Sequence, residues 1–233
     1  MLSVKFKELK IGTIGTLAAN IPFLIVGFGR PKGVILAAQH GGELSGLFVI
    51  ADMLKQIKGL IGQAVIVPIT NPFGQIFGQR NEVIDGKDLN HQFPGRENGD
   101  FTARLANQLL KLCNNADFVI DLHTFSRQTP IVAGFTLDKA KNQAKIIKMI
   151  NALQPDLAWA VDMGWEEDKR FSGALDKILT EKNTPSIFIE MPNIQKITNS
   201  EIRRVSQGIV KIFKSFNSKV INSKLKGIPV FYH

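Results

Sequence analysis

Strands alternating with helices predict an α/β protein built on a largely parallel mixed sheet with helices on both faces. Two observations carry that expectation. Short apolar runs at 33–39, 64–69, 118–123 and 185–190 are bounded by turn residues, as strands buried on both faces are. Between them lie stretches of helical spacing, the clearest at 44–57, where Leu47, Ile50, Ala51, Leu54 and Ile57 share one face. The length of 233 residues fits one domain spanning 1–233.

Taken in order, residues 11–28 read as two strands around a turn at Ala19–Asn20, with Pro22 just after it. The strand at 33–39 runs into the tight turn His40-Gly41-Gly42, and the helix at 44–57 follows. Ala64 to Ile69 form another buried strand. Residues 71–100 are polar and rich in Gly, Asn and Asp; a loop that long in a compact domain is usually functional. Then come a helix at 101–113, strands at 118–123 and 131–135, helices at 138–152 and 172–182, and the strand at 185–190. The last helix begins near Ser200, where Thr198 and Glu201 form a capping box, and it carries Ile202, Val205, Ile209, Ile212 and Phe213 on one face.

Composition excludes several classes. With 44% hydrophobic and 21% charged residues the chain is not disordered. It has no apolar run of membrane-spanning length, and its start lacks the apolar stretch of a signal peptide, so a cytoplasmic location with no membrane partner is expected. Cys113 is the single cysteine, which rules out an internal disulfide and a Cys-rich zinc site. The net charge of +9 is spread along the chain, densest at Lys211, Lys214, Lys219, Lys224 and Lys226. No nucleic-acid-binding signature accompanies it, so the expectation is a solvated basic surface and no nucleic-acid partner.

Chemistry gathers at three expected strand ends: His40 and Glu43, then Asp121 and His123, then Glu190. All can project from one edge of the sheet, where α/β proteins place their sites. If the chain turns into a helix after Gly42, His40 and Glu43 can meet one ion, and His123 is the natural third ligand. The chain has four histidines; His233 is terminal, and His91 is the one left over. Such a set suits a catalytic zinc, which takes three protein ligands and a water whose pKa falls to about 7. A carboxylate outside the ligand set, here Glu190, can then carry the proton. A lone H-x-x-E is a weak signal, and Asp121 can equally support a ligand or a turn; the joint pattern carries the weight.

The polar loop adds Asn71-Pro72, Arg80 and Asp88-Leu89-Asn90-His91-Gln92-Phe93-Pro94-Gly95. With His40-Gly41-Gly42-Glu43, Asp121-Leu122-His123 and Glu190, in that order, the sequence resembles the succinylglutamate desuccinylase/aspartoacylase family of zinc hydrolases, relatives of the zinc carboxypeptidases, over roughly residues 30–215. The resemblance implies a zinc carboxypeptidase-like fold. It implies one Zn²⁺ per chain on His40, Glu43 and His123, with Glu190 as general base and then acid. Arg80 would polarise the substrate carbonyl and Asn90 would bind the substrate carboxylate. The implied reaction is hydrolysis of an N-acyl amino acid or similar small amide.

The match departs from the family pattern at His91, where relatives usually carry an Arg that forks onto the substrate's carboxylate; imidazole does not replace that fork, but a protonated His91 can still bind the substrate's anion, more weakly and with pH dependence. Arg96 and Arg127 are the candidates to take over, and acidic substrates are placed in doubt. Met191-Pro192 stands where small residues are common, so an altered pocket wall is expected. Many relatives carry a further β-rich domain, for which a chain ending at 233 leaves no room. An open cleft, or one closed by another subunit of a homo-oligomer, is therefore expected, with Trp159, Trp165 and Phe171 as candidate lining. Two alternatives remain beside the deacylase: a metallocarboxypeptidase acting on peptide C-termini, and a non-catalytic zinc- or anion-binding relative.

Overall fold

The computed structural model describes residues 3–125, 127–137, 142–162, 172–218 and 224–232. Among them are the strands β1 (Val4–Ile14), β2 (Leu17–Gly27), β3 (Lys32–Ala37), β4 (Gln63–Val67), β5 (Phe118–Thr124), β6 (Val132–Leu137), β7 (Leu157–Asp162), β8 (Ser186–Met191) and β9 (Val230–Tyr232). They form one sheet in the order β1-β2-β4-β3-β5-β8-β6-β7-β9. The contacts β3–β4, β3–β5, β5–β8, β6–β7 and β7–β9 are parallel; β1–β2, β2–β4 and β6–β8 are antiparallel. The sheet is thus mixed and mostly parallel, as the alternation of elements requires.

Helices cover both faces. On one side pack α1 (Ser45–Gln56), α4 (Gln143–Leu153) and α6 (Asn199–Phe216), against Ile35, Ile120, Leu122, Ile187 and Ile189. On the other pack α3 (Phe101–Cys113) and α5 (Leu175–Glu181), against Val34, Leu36, Val65 and Val119. Alternate residues of each central strand feed opposite cores, which is why these strands read as continuous apolar runs. On β5 the alternation has a second consequence. Leu122 belongs to the first core, so Asp121 and His123 face the α3/α5 side.

Helix α6 forms because its apolar stripe is flanked by a complete cap. Thr198 Oγ1 accepts the Glu201 N–H at 3.2 Å, and Glu201 Oε2 accepts the Thr198 N–H at 2.7 Å. All five of its expected face residues are buried.

Other expectations are corrected. The first turn falls at Gly15–Thr16, not at Ala19–Asn20, since Ile14 pairs with Leu17. Gly15 supplies the positive φ (+58°) that a two-residue hairpin loop needs. Asn20 and Pro22 lie inside β2, opposite Lys10 and Glu8. Pro22 is outside the Leu24–Gly27 stretch paired with β4, so its missing N–H costs no bond there. The structure also adds β7, β9 and residues 4–10 of β1 to the expected strands. The helix expected at 138–152 is α4, which starts at Gln143; residues 138–141 lie outside the described residues. Met191 is fully buried in the α1/α4/α6 core and forms no pocket wall.

The 71–100 segment is more ordered than its polarity implied. A short helix, α2 (Pro72–Phe77), follows Asn71, whose Oδ1 caps the Gly74 N–H at 2.8 Å, and ends at Gly78 with φ +62°. Further on, Leu89 and Phe93 are buried in the α3/α5 core and anchor the D-L-N-x-x-F-P-G segment. Gly95 has φ +72°, and a Cβ there would lie 2.3 Å from Ala103 O and Asn107 N, so the segment can press onto α3 only with glycine at this position. No helix among the described residues is long and apolar enough to cross a membrane.

Candidate active site

Three adjacent parallel strands bring the site together. His40 follows β3, His123 is the last residue but one of β5, and Glu190 is the last but one of β8, where it is the Cα partner of His123. Glu43 comes from the Gly41-Gly42 turn before α1. That turn is tightly seated: a Cβ on Gly41 would lie 1.8 Å from Gly74 O, and the Gly41 N–H donates to Gln79 O at 2.9 Å.

Glu43 lies between the two histidines, with Oε1 2.6 Å from His40 Nδ1 and Oε2 3.0 Å from His123 Nδ1. One donor atom from each of the three residues falls within 4.8 Å of the others. The remaining ring nitrogens are held as well: His40 Nε2 is 3.0 Å from Asp88 Oδ1, and His123 Nε2 is 3.0 Å from Asp121 Oδ2. Gln39, fully buried, donates its amide to the same Asp121 oxygen. A His₂Glu donor set with each histidine backed by a carboxylate fits a catalytic divalent metal such as zinc. Sequence reading left Asp88 without a role. Its reach to His40 spans 48 residues and has no local signature.

Charge follows this geometry. Burial alone would raise the Glu43 carboxyl, but His123 and His40 override it and hold it down to about 2. Burial likewise works against charge on His123, yet Asp121 and Glu43 hold it well above its ordinary value. Asp88 is held low by His40 and Arg80 against its own burial. Glu190 goes the other way: burial pushes it up to about 7, and the negative charge of Glu43 adds to the rise.

His40, Glu43, Asp121, His123 and Glu190 line a cavity of about 570 Å³ with Arg80, Asn90, Thr124, Trp159, Asp176 and Phe188. Arg80 Nε donates to Asp88 Oδ2 at 2.9 Å. Asn90 Oδ1 accepts the Leu175 N–H at 3.4 Å, which leaves its amide NH₂ as a donor. His91, Arg96 and Arg127 are exposed and do not line the cavity. Trp159 does line it, while Trp165 and Phe171 lie outside the described residues.

A convergent His–Glu–His donor set at the carboxyl ends of central parallel strands, with a half-buried glutamate beside it, defines an α/β protein with a candidate metal centre. Residues 30–215 match the succinylglutamate desuccinylase/aspartoacylase catalytic domain, and the chain belongs to that family. It is 29% identical over 138 residues to the N-alpha-acetyl-L-2,4-diaminobutyric acid deacetylase of Halomonas elongata; the match covers 56% of this chain and 40% of that protein. Among solved structures it resembles a succinylglutamate desuccinylase/aspartoacylase from Rhodobacter sphaeroides (TM-score 0.77, 18% identity, 98% of this chain and 67% of that one). A product-bound ectoine utilization protein from Ruegeria pomeroyi is similar too (TM-score 0.76, 18% identity, 99% and 72%). So is a metallo-carboxypeptidase from Burkholderia cenocepacia (TM-score 0.71, 16% identity, 92% and 65%). At these identities the structures speak to fold.

Proposed function

We propose that the chain is a zinc-dependent hydrolase, with one Zn²⁺ per chain on His40, Glu43 and His123, that cleaves the amide bond of an N-acyl amino acid or similar small amide. The observation that carries the reading is the convergence of these three donors beside Glu190 in a single cavity. Membership in a family named for deacylases, and likeness over part of its length to an acetyl-diaminobutyrate deacetylase, support the same chemistry.

Zinc held there supplies Lewis acidity, which brings the ionisation of water down to about pH 7. Glu190 takes a proton from the attacking water and returns it to the amine nitrogen as the C–N bond breaks; a carboxyl held near 7 suits both transfers. Arg80, fixed through Nε by Asp88, presents its Nη hydrogens to the charge developing on the acyl oxygen. The Asn90 amide NH₂ donates to the carboxylate of the amino-acid part. His91 and Arg127, outside the cavity, take no part in this first contact.

The test is the zinc-to-protein ratio after purification without chelator, beside Glu43→Ala, followed by amine release from N-acetyl amino acids. Near one zinc per chain, lost in the variant, with amine released, is the expected result. No zinc in either protein, even after reconstitution, rejects the reading.

A further inference from the structure

One wall of the cavity takes no part in the mechanism. His123 and Glu190 lie near the carboxyl ends of β5 and β8, on the face of the sheet turned to α3 and α5. One row back on that face, Asp121 is the Cα partner of Phe188, Phe188 of Gly134 on β6, and Gly134 of Trp159 on β7. Asp121 is held by His123, whose Nε2 is 3.0 Å from its Oδ2. The two rings line the cavity and meet edge to face, with centroids 5.7 Å apart. Neither belongs to the α3/α5 core. Each is only half-buried, although its neighbours along the strand (Ile187 and Ile189, Ala158 and Ala160) are buried in the opposite core. The sheet thus covers one face of these strands completely and keeps two aromatic side chains of the other face open to the cavity.

Gly134 sets the depth of this wall. A Cβ there would lie 1.9 Å from Phe188 Cζ and 2.1 Å from its Cε2, so the ring lies down on the β6 backbone. Gly134 has no positive φ; glycine supplies space at this position, and a side chain would lift the ring into the cavity. Val161 and Ala174 continue the wall. The charged groups at its edge are engaged: Asp176 Oδ2 accepts the Thr136 hydroxyl at 2.6 Å, and Lys177 Nζ pairs with Glu181 Oε1 at 2.5 Å. A cavity of about 570 Å³ built this way has the usual form of a small-molecule site, an apolar surface with a few polar groups that fix orientation. The metal donors, Glu190, Arg80 and Asn90 supply the polar part. The aromatic surface gains a driving force for binding only from an apolar group that the substrate brings.

We propose that Trp159 and Phe188, with the Phe188 ring bedded on Gly134, form a subsite for a flat apolar group of the substrate, so that the substrate class is the N-acyl amino acids with an aromatic acyl group or an aromatic side chain. This rests on the hydrolase reading above and deepens it.

The test is calorimetric titration of the zinc-supplied full chain carrying Glu190→Gln, so that ligands are not consumed. The probes are N-acetyl-L-alanine as reference, N-acetyl-L-phenylalanine, N-benzoyl-L-alanine and N-acetyl-L-glutamate. One aromatic compound is expected to bind at least ~10-fold tighter than the reference, as for burial of one ring. Which of the two does so tells whether the group comes from the acyl part or from the amino-acid side chain. The glutamate compound should not share the gain. Gly134→Ala, which lifts Phe188, and Trp159→Ala, which removes the other ring, should each bring the aromatic-to-alanine ratio toward one with zinc content unchanged. Ratios near one for both aromatic probes with Gly134 and Trp159 in place overturn the proposal even if the variants fail to fold. So do ratios unchanged by both variants, a glutamate compound that binds as tightly as the better aromatic one, or no binding of any probe. Turnover of the same compounds by the Glu190 chain separates the two readings. Aromatic-selective binding without turnover removes the hydrolase and keeps the subsite; turnover without aromatic preference does the reverse.

Discussion

His123 and Glu190 are Cα partners across the parallel ladder of β5 and β8, so both side chains leave the same face of the sheet at the same height. The ladder itself therefore places a candidate proton carrier beside a candidate ligand. Glu190→Gln removes the proton acceptor while changing little in shape. We expect zinc content unchanged and amide hydrolysis reduced about 10²–10⁴-fold, the usual worth of general acid–base catalysis. Amine release and metal analysis on the same preparation check this; substantial residual turnover would remove Glu190 from the role.

The two carboxylates behind the histidines make a graded prediction. His123→Ala or Glu43→Ala deletes a donor and should abolish stoichiometric zinc. Asp88→Asn and Asp121→Asn leave all three donors but weaken the hold on ring orientation at 3.0 Å. Each should weaken zinc affinity about 10–100-fold. Competition against a chromogenic chelator reads both sets, and equal affinities in the Asp variants and the parent chain would separate these carboxylates from the site.

The contrast between His40 and Asp88 shows which features a sequence exposes. His40, Asp121, His123 and Glu190 each terminate an apolar run, and parallel strands deliver such ends to one edge, so their proximity could be read from local pattern. So could α3, bounded by Asp100 and the end of its apolar stripe, and the Thr198–Glu201 cap. Asp88 reaches His40 from a polar loop and Asp176 reaches the cavity from a short helix, where no periodicity says which way a side chain points. The hairpin turn was misplaced because Asn20 and Pro22 carry stronger turn signals than Gly15-Thr16, yet β2 tolerates both where it lacks a β4 partner. Strand β1 was only half visible because it is an edge: Lys5, Lys7, Glu8 and Lys10 keep its surface charged, which blunts the alternation that marks a strand.

Stability should depend on acid through Asp156. Arg204 donates from Nη1 and Nη2 to its two oxygens at 2.5 and 2.7 Å, and the Ile131 N–H donates at 2.8 Å. The Arg204 bond outweighs partial burial and lowers the Asp156 carboxyl from 3.8. A depressed carboxyl contributes stability that is present above its unfolded value and lost as pH falls through the folded one. Arg204→Ala should therefore lower the melting temperature at pH 7, and the gap should close as the pH drops below about 3.8. The pair is about two-fifths exposed, so the effect should stay under ~1 kcal/mol. A gap independent of pH would mean that Arg204 acts through packing alone.

Leu89 ties stability to the site. It is fully buried in the α3/α5 core, while its neighbours Asp88 and Asn90 reach His40 and the Leu175 N–H. The apolar anchor thus fixes two polar contacts that it does not itself make. Leu89→Ala should cost about 2–5 kcal/mol in urea unfolding, and it should also weaken zinc binding, because Asp88 loses its fixed approach to His40. Ile209→Ala is the control. It empties a fully buried position on the opposite face of the sheet and should cost a similar amount with zinc affinity unchanged. A cavity acts on what packs around it, so equal zinc affinities in the two variants would show that the loop holds its shape without Leu89. Anchoring would then have to come from Phe93 and the close seat of Gly95 on α3.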